Sequence, residues 1–209
     1  VPLTEILTAP ALVVLARAAA EVGNIDQAET IIARGLERLP DDLVLTGHLA
    51  ELRLDAGRSR EAVALLARVE DSAGPAQVLL LAKARLFSGD PMGGLATLER
   101  GMERHPASPD LLEGLASARL AMGDANFALA LLDRVPAPRD AKWFISRAQA
   151  YEVLGDVAGH EAAVRQGIEV FPGDLHLLAQ LSKSLSSQGR LQEAAVVSAS
   201  IEDNVIAKP

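Results

Sequence analysis

The sequence predicts an all-α fold, a right-handed α-solenoid of six helix-turn-helix repeats, and three observations support this class. First, six glycines recur at intervals that alternate between 34 and 32, a period typical of helical solenoids. Second, a small residue stands seven positions before each glycine, where it lets a partner helix approach closely. Third, 49% of the 209 residues are hydrophobic but only 3% are aromatic, a composition that suits packing through Ala, Leu, Val and Ile. The six glycines are Gly23, Gly57, Gly89, Gly123, Gly155 and Gly189.

Each repeat is predicted to contain a first helix (helix A), a tight turn, a second helix (helix B) and a break. The glycine of the turn is expected to adopt the left-handed backbone conformation at the end of helix A. Four glycines are followed by a polar residue that can cap helix B, namely Asn24, Asp90, Asp124 and Asp156. A proline stops helix B in alternate repeats, at Pro40, Pro106 and Pro172.

These signals predict one domain over residues 1–209, with twelve helices in six repeats. The predicted repeats cover approximately residues 9–42, 43–74, 75–108, 109–140, 141–174 and 175–206. The predicted helices cover residues 10–22, 25–39, 42–56, 59–70, 76–88, 92–105, 109–122, 125–135, 140–154, 157–171, 174–188 and 191–204.

A second, longer period combines one odd and one even repeat into a unit of four helices, which we call the double repeat. Helix B of each odd repeat contains a glycine at an equivalent position, at Gly35, Gly101 and Gly167, where the even repeats have Val69, Val135 and Ile201. A glycine inside a helix costs about 1 kcal/mol relative to alanine. Two interpretations follow: the glycines permit close helix approach, or they record sequence drift after duplication of a repeat pair.

The pattern of small residue, turn glycine, small residue and proline resembles that of the tetratricopeptide repeat family. Residues 15–28, 49–62 and 115–128 match it best, and the resemblance covers nearly the whole chain. It departs in repeat five, where Arg147 and His160 replace an apolar and a small residue. The family's tryptophan near the start of helix A is replaced by Leu12, Thr46, Val78, Leu112, Phe144 and Leu178.

The resemblance implies that the A helices line a concave groove that binds a protein or peptide. The residues expected to line it are Arg17, Glu51, Leu54, Leu79, Lys83, Leu86, Glu113, Leu120, Gln149 and Glu152. Leu54, Leu86 and Leu120 would form an apolar stripe across three consecutive repeats, suited to an extended peptide or a partner helix. The alternative is that these leucines pack against the next helix.

Three arginines, Arg53, Arg85 and Arg119, share the position four residues before the turn glycine. They form either a basic ladder that binds carboxylates of a partner, or side chains whose stems pack while their charged heads are solvated. Glu113 is a possible partner for them in a neighbouring repeat.

The sequence offers no catalytic set of nucleophile, base and orienting residue, so we expect a non-catalytic protein without a cofactor. The four histidines lie in different repeats without helical metal-site spacing, and the chain has no cysteine, so we expect no metal site. The net charge of −8 without a basic stripe argues against nucleic acid, and the apolar runs are too short for membrane insertion.

The leading hypothesis is therefore a protein-interaction scaffold that holds a peptide or helix in its groove. One alternative is a self-oligomerising scaffold that uses the apolar, uncapped C-terminal helix near residues 191–204. Another is an accessory module of a larger multidomain enzyme, such as a transferase, whose adjoining domain covers that helix. The compartment, cytoplasmic or periplasmic, stays open, and the composition is typical of a bacterium with a GC-rich genome.

Overall fold

The computed structural model describes residues 7–206 and the side chains of residues 7–201. These residues form twelve α-helices, one 3₁₀ turn at Glu70–Ser72 and no strand. Every predicted helix is present, with each end within three residues of its predicted place. The helices are α1 (Ala9–Glu21), α2 (Ile25–Arg38), α3 (Leu43–Asp55), α4 (Ser59–Ala67), α5 (Pro75–Phe87), α6 (Pro91–Arg104), α7 (Pro109–Ala121), α8 (Ala125–Asp133), α9 (Ala141–Leu154), α10 (Val157–Val170), α11 (Leu175–Ser187) and α12 (Leu191–Ile206). Odd-numbered helices are A helices and even-numbered ones are B helices.

The turn between helix A and helix B is the same in all six repeats. Each of the six glycines has a positive φ, between +71° and +90°, a conformation that residues with a side chain rarely adopt. The four predicted caps are confirmed, because each side chain accepts a hydrogen bond from a backbone N–H three residues later. Helices α2, α6 and α10 end two residues before their prolines, one residue short of their predicted ends.

The chain divides into two compact units, Val1–Leu111 and Leu112–Pro209. The core of unit 1 contains one cluster around Leu12, Ile32 and Leu45, and a second around Leu66 and Leu81. In unit 2, Trp143 is 2% exposed and donates a hydrogen bond from Nε1 to the carbonyl oxygen of Leu132 at 2.8 Å. The guanidinium of Arg147 lies 5.1 Å from the centre of the Trp143 ring and pairs with Asp133 at 2.5 Å, so the unusual arginine of repeat five is accommodated at a helix contact.

The glycines that mark the double repeat lie at tight contacts between helices, which supports the first interpretation of that period. A Cβ added at Gly101 would lie 2.5 Å from Cγ1 of Val78 in the same repeat. At Gly35 it would lie 2.8 Å from Leu12 and 2.9 Å from Leu45, which opens the next repeat. At Gly167 it would lie 2.9 Å from both Phe144 and Leu177. The contacting residues recur in register: Leu12, Val78 and Phe144 occupy one position of the double repeat, and Leu45, Leu111 and Leu177 occupy another.

In repeats two and four, helix B is shorter than in the odd repeats. Helices α4 and α8 have 9 residues, against 14 in α2, α6 and α10. Beyond their ends, Val69 and Val135 turn inward and are 5% and 3% exposed. In these two repeats a buried valine beyond the helix end therefore stands at the sequence position of the odd-repeat glycine, whereas α12 of repeat six continues through Ile201.

Candidate functional site: the A-helix face

Unit 1 carries two clefts on the A-helix face, which we define as the surface formed by exposed side chains of the A helices. A cleft of about 100 Å³ lies between α1 and α3 and has Arg17 and Glu51 at its edge. A cleft of about 200 Å³ lies between α3 and α5 and is lined by Gly47, Gln77 and Leu80 among others. His48 and Glu51 line both clefts, and Nδ1 of His48 lies 3.0 Å from a carboxylate oxygen of Glu51.

Unit 2 carries a larger cleft, of about 320 Å³, between α9 and α11. Gln149 and Glu152 of α9 face Gln180 and Lys183 of α11 across it. Glu152 and Lys183 form an exposed ion pair at 3.5 Å, which solvent screens and a partner can break at little cost. The side-chain oxygen of Gln180 is buried and accepts no hydrogen bond from the residues that the structure describes.

Most residues predicted for the groove lie at accessible places on the A-helix face of their own unit. In unit 1, Lys83 and Leu86 are exposed on α5, and Leu79 is half-buried. In unit 2, Glu113 and Leu120 are half-buried on α7, and Glu113 lies 3.9 Å from Lys142. Arg17, Glu51, Gln149 and Glu152 border the clefts described above.

Leu54 is a correction to the predicted apolar stripe. Its side chain is only 7% exposed and packs in a core cluster with Ala62, Leu66 and Leu81. For Leu54 the alternative interpretation, packing against neighbouring helices, is therefore right. Leu86 occupies the equivalent place in the next repeat and is 54% exposed.

The three arginines of the predicted ladder form ion pairs within the chain. Arg53 lies 3.1 Å from Glu61, Arg85 lies 3.0 Å from Glu70, and Arg119 lies 3.6 Å from Asp124. Their side chains are 17–25% exposed, which agrees with the interpretation that their stems pack, and each head is paired with a carboxylate of the chain. Because each head is already bound to a carboxylate, these arginines hold helices together in their own unit.

His48 and Gln180 are cleft residues that the sequence did not single out. His48 is one of the four histidines without metal-site spacing, yet Glu51 three residues later on the same helix face is a signal of their contact. For Gln180 the sequence holds no such signal, because its place in the cleft depends on the way α9 packs beside α11.

Within the described part of the chain, no group of three metal-ligating side chains could hold a metal ion. A separate search of the same residues found no helix with the length and apolar character needed to span a membrane.

Comparisons with solved structures identify the fold. The chain superimposes on PilW, described as a widely conserved type IV pilus biogenesis factor, with a TM-score of 0.80 and 14% identity, covering 96% of this chain and 94% of PilW. A tetratricopeptide repeat protein from Parabacteroides merdae gives a TM-score of 0.75 and 13% identity, covering 94% and 79% of the two chains. A thermophilic tetratricopeptide repeat protein from Thermus thermophilus gives 0.69 and 19%, covering 85% and 99%. No protein-family model and no curated protein sequence matches the chain.

The chain is therefore similar to tetratricopeptide repeat proteins in structure, and its fold is the all-α solenoid class of that family. The resemblance to the tetratricopeptide repeat family, which was inferred from the spacing of the six turn glycines, is confirmed at the level of the fold.

Proposed function

We propose that this chain is a non-catalytic protein-interaction module that binds an extended peptide or a helix of a partner on its A-helix face. The observation that carries the proposal is the position of the clefts. Each lies between consecutive A helices of one unit and is bordered by exposed charged or amide side chains.

The chemistry of the unit 1 clefts favours a partner segment with mixed character. Arg17 and Glu51 offer opposite charges at the edge of the α1–α3 cleft, while Val13, Ala16 and Ala20 give it apolar walls. A short apolar side chain can enter such a cleft while flanking polar groups pair with the charges at its edge. The charges then select the partner, and the apolar contact supplies part of the affinity.

A charge exchange tests this proposal without altering the net charge. Peptides are selected from a random phage-displayed library on the wild-type chain, and their affinities are measured by calorimetry. In the double variant Arg17→Glu with Glu51→Arg, we expect affinity to fall at least about tenfold, because two charged contacts become repulsive. Both side chains are exposed, so the fold should be kept, with unchanged helical circular dichroism.

The matched control is the double variant Arg34→Glu with Glu37→Arg, which exchanges two exposed charges on α2, helix B of repeat one. It should bind the selected peptides as tightly as the wild type. Equal affinities of the A-helix variant and the wild type for every selected peptide would refute the proposal.

A further inference from the structure

Helix α3 of unit 1 contains a glycine that the packing of the chain does not require. A Cβ added at Gly47 would have as its nearest neighbour the side-chain amide nitrogen of Gln77 at 3.7 Å, an ordinary contact distance. At the glycines of the odd B helices the nearest atom would stand at 2.5–2.9 Å instead. Glycine is also a poor helix former, so it lowers the stability of α3. Neither steric fit within the described chain nor helix propensity therefore accounts for Gly47.

Gly47 forms part of the surface of the cleft between α3 and α5. This cleft has a volume of about 200 Å³, and Val44, Ala76 and Leu80 give it apolar walls. Gln77 closes one end, because its Nε2 donates a hydrogen bond to a carbonyl oxygen at the start of α3 at 3.2 Å. At Gly47 a ligand can reach the helix backbone itself. The equivalent positions of the other five repeats all carry a side chain, at Val13, Leu79, Glu113, Ile145 and Ala179.

The rim of the α3–α5 cleft carries a single carboxylate. Among the residues that line this cleft, only Glu51 and His48 have acidic or basic side chains. Nδ1 of His48 contacts one carboxylate oxygen of Glu51 at 3.0 Å, and the described residues give the other oxygen no hydrogen bond. The ammonium of Lys83 lies elsewhere, 5.7 Å from the ring centre of Phe87. A carboxylate beside apolar walls favours a cationic side chain with an aliphatic stem.

We infer that the α3–α5 cleft is a subsite for an arginine side chain of a protein partner, an inference that rests on the proposed function. The aliphatic stem packs along the apolar walls, and the guanidinium pairs with Glu51, one helical turn beyond Gly47 on the same face of α3. Because a guanidinium is planar, it can lie flat on the helix backbone at Gly47, where a side chain would hold it away. The ammonium of lysine has the same charge without this planar shape, so arginine is preferred.

Parallel peptide selections test the shape of the subsite. A random phage-displayed library is selected on the wild-type chain and, separately, on Gly47→Leu, whose side chain would fill the cleft. We expect arginine to be enriched over lysine, relative to the unselected library, in the peptides selected on the wild type but not on the variant. The matched control is Ala179→Leu on α11, which adds the same side chain at the equivalent position in unit 2. It should select arginine like the wild type.

A second variant keeps this test valid if Gly47→Leu does not fold. Gly47→Ala improves helix propensity and places its Cβ at an ordinary distance from Gln77, so the fold should be kept. Its methyl group should hold the guanidinium away from the backbone and lower the affinity for arginine-containing peptides at least about twofold. Calorimetry measures this loss, and an unchanged affinity would contradict the role of Gly47.

The charge pair is tested with citrulline, which has nearly the shape of arginine but no charge. The tightest peptide from the wild-type selection is synthesised in both forms, and the affinities are measured by calorimetry. Citrulline should weaken binding to the wild type at least about fivefold, but binding to Glu51→Gln by less than about twofold. The control Glu37→Gln removes an exposed carboxylate from α2 and should show the full loss.

Two results would overturn the arginine subsite while peptide binding on the A-helix face stands. The first is a set of selected peptides in which arginine is not enriched. The second is an equal loss of affinity on citrulline substitution in the wild type and in Glu51→Gln. A wild-type chain that selects no peptide at all overturns both the subsite and the proposed function.

Discussion

At the scale of single residues, the most informative positions are the glycines inside the B helices of the odd repeats. Gly101 is buried, and Cγ1 of Val78 stands 2.5 Å from where its Cβ would be. Valine is branched at Cβ and has little rotamer freedom, so it cannot move aside easily. Close packing at this position therefore outweighs the low helix propensity of glycine.

We predict that Gly101→Ala lowers the free energy of unfolding by about 1–3 kcal/mol, the usual cost of an overpacked core. This loss should appear even though alanine is the better helix former by about 1 kcal/mol. Urea denaturation followed by circular dichroism at 222 nm measures it. Combining Gly101→Ala with Val78→Ala should remove part of the added cost of Gly101→Ala, because the clash is relieved.

The control is Gly47→Ala in helix α3, where the nearest atom to the added Cβ is the flexible Gln77 amide nitrogen at 3.7 Å. This substitution should stabilise the chain by up to about 1 kcal/mol. If both substitutions have the same sign, steric fit is not what retains glycine at residue 101.

The sequence predicted single residues correctly where neighbouring residues in the chain determine the local structure. The turn glycines, helix caps and prolines act through neighbouring backbone atoms, so their roles could be inferred from spacing alone. Leu54 and Leu86 share one position in the repeat, yet one is buried and the other exposed. Their exposure depends on how the next helix packs, which the position within a repeat does not encode.

At the scale of helices, ion pairs join consecutive repeats within each unit. In unit 2, Glu161 of α10 accepts hydrogen bonds from Arg190 at 2.7 Å, Arg165 at 2.8 Å and Gln188 at 3.2 Å. The hydrogen bond from Arg190 is the main reason that the pKa of Glu161 is lowered from 4.5 to about 2, although partial burial opposes the shift. In unit 1, Glu29 and Arg58 make the equivalent contact, two double repeats earlier in the chain.

We predict that Glu161→Gln destabilises unit 2 at neutral pH but not in strong acid. A carboxylate whose pKa is lowered on folding stabilises the folded state fully above pH 4.5, and this contribution is lost as the pH falls from 4.5 to about 2. The effect at pH 7 should be about 1 kcal/mol or less, as is usual for ion pairs near the surface. Urea denaturation at pH 7, 4 and 2 measures the difference between variant and wild type.

Glu169→Gln is the control on the same helix, since Glu169 is exposed and the described residues offer it no ion pair. It should show no such pH dependence. A constant difference between wild type and Glu161→Gln at all three pH values would show that the carboxylate charge is not what stabilises this junction.

The helix ends show what the sequence could not predict at this scale. Helix α4 was predicted to end at residue 70 but ends at Ala67, and Glu70 lies in the 3₁₀ turn. Arg85 and Arg100 both bind the Glu70 carboxylate. Arg104 donates to the carbonyl oxygens of Glu70 and Asp71 at 2.7 and 3.1 Å. Partial burial raises the pKa of Glu70, but the hydrogen bonds and charges of the arginines outweigh it and leave that pKa lowered. These contacts come from α5 and α6, so local propensity could not reveal them.

At the scale of the whole chain, the double repeat is the natural structural module. Nearest-neighbour contacts dominate the stability of repeat proteins, so a module can be removed if its two ends present equivalent surfaces. Leu111 lies against Gly101, and Leu177 lies against Gly167 at the equivalent position of the next double repeat.

We predict that deleting residues 109–174, which joins Ser108 to Leu175, leaves a folded helical protein. The side chain of Leu177 should then pack against Gly101 as it packs against Gly167 in the intact chain. The shortened chain should keep its helical signal per residue and unfold cooperatively, though at a lower urea concentration, because it has lost four helices and the Glu161–Arg190 contact.

The control deletion of residues 109–140 removes only a single repeat and joins Ser108 to Ala141. It would place Trp143 opposite Gly101 and remove Leu132, whose carbonyl oxygen accepts the indole hydrogen bond of Trp143. Because an odd repeat would then follow another odd repeat, that variant should lose cooperative unfolding. If both deletion variants unfold cooperatively, a single repeat and not the double repeat is the unit of this fold.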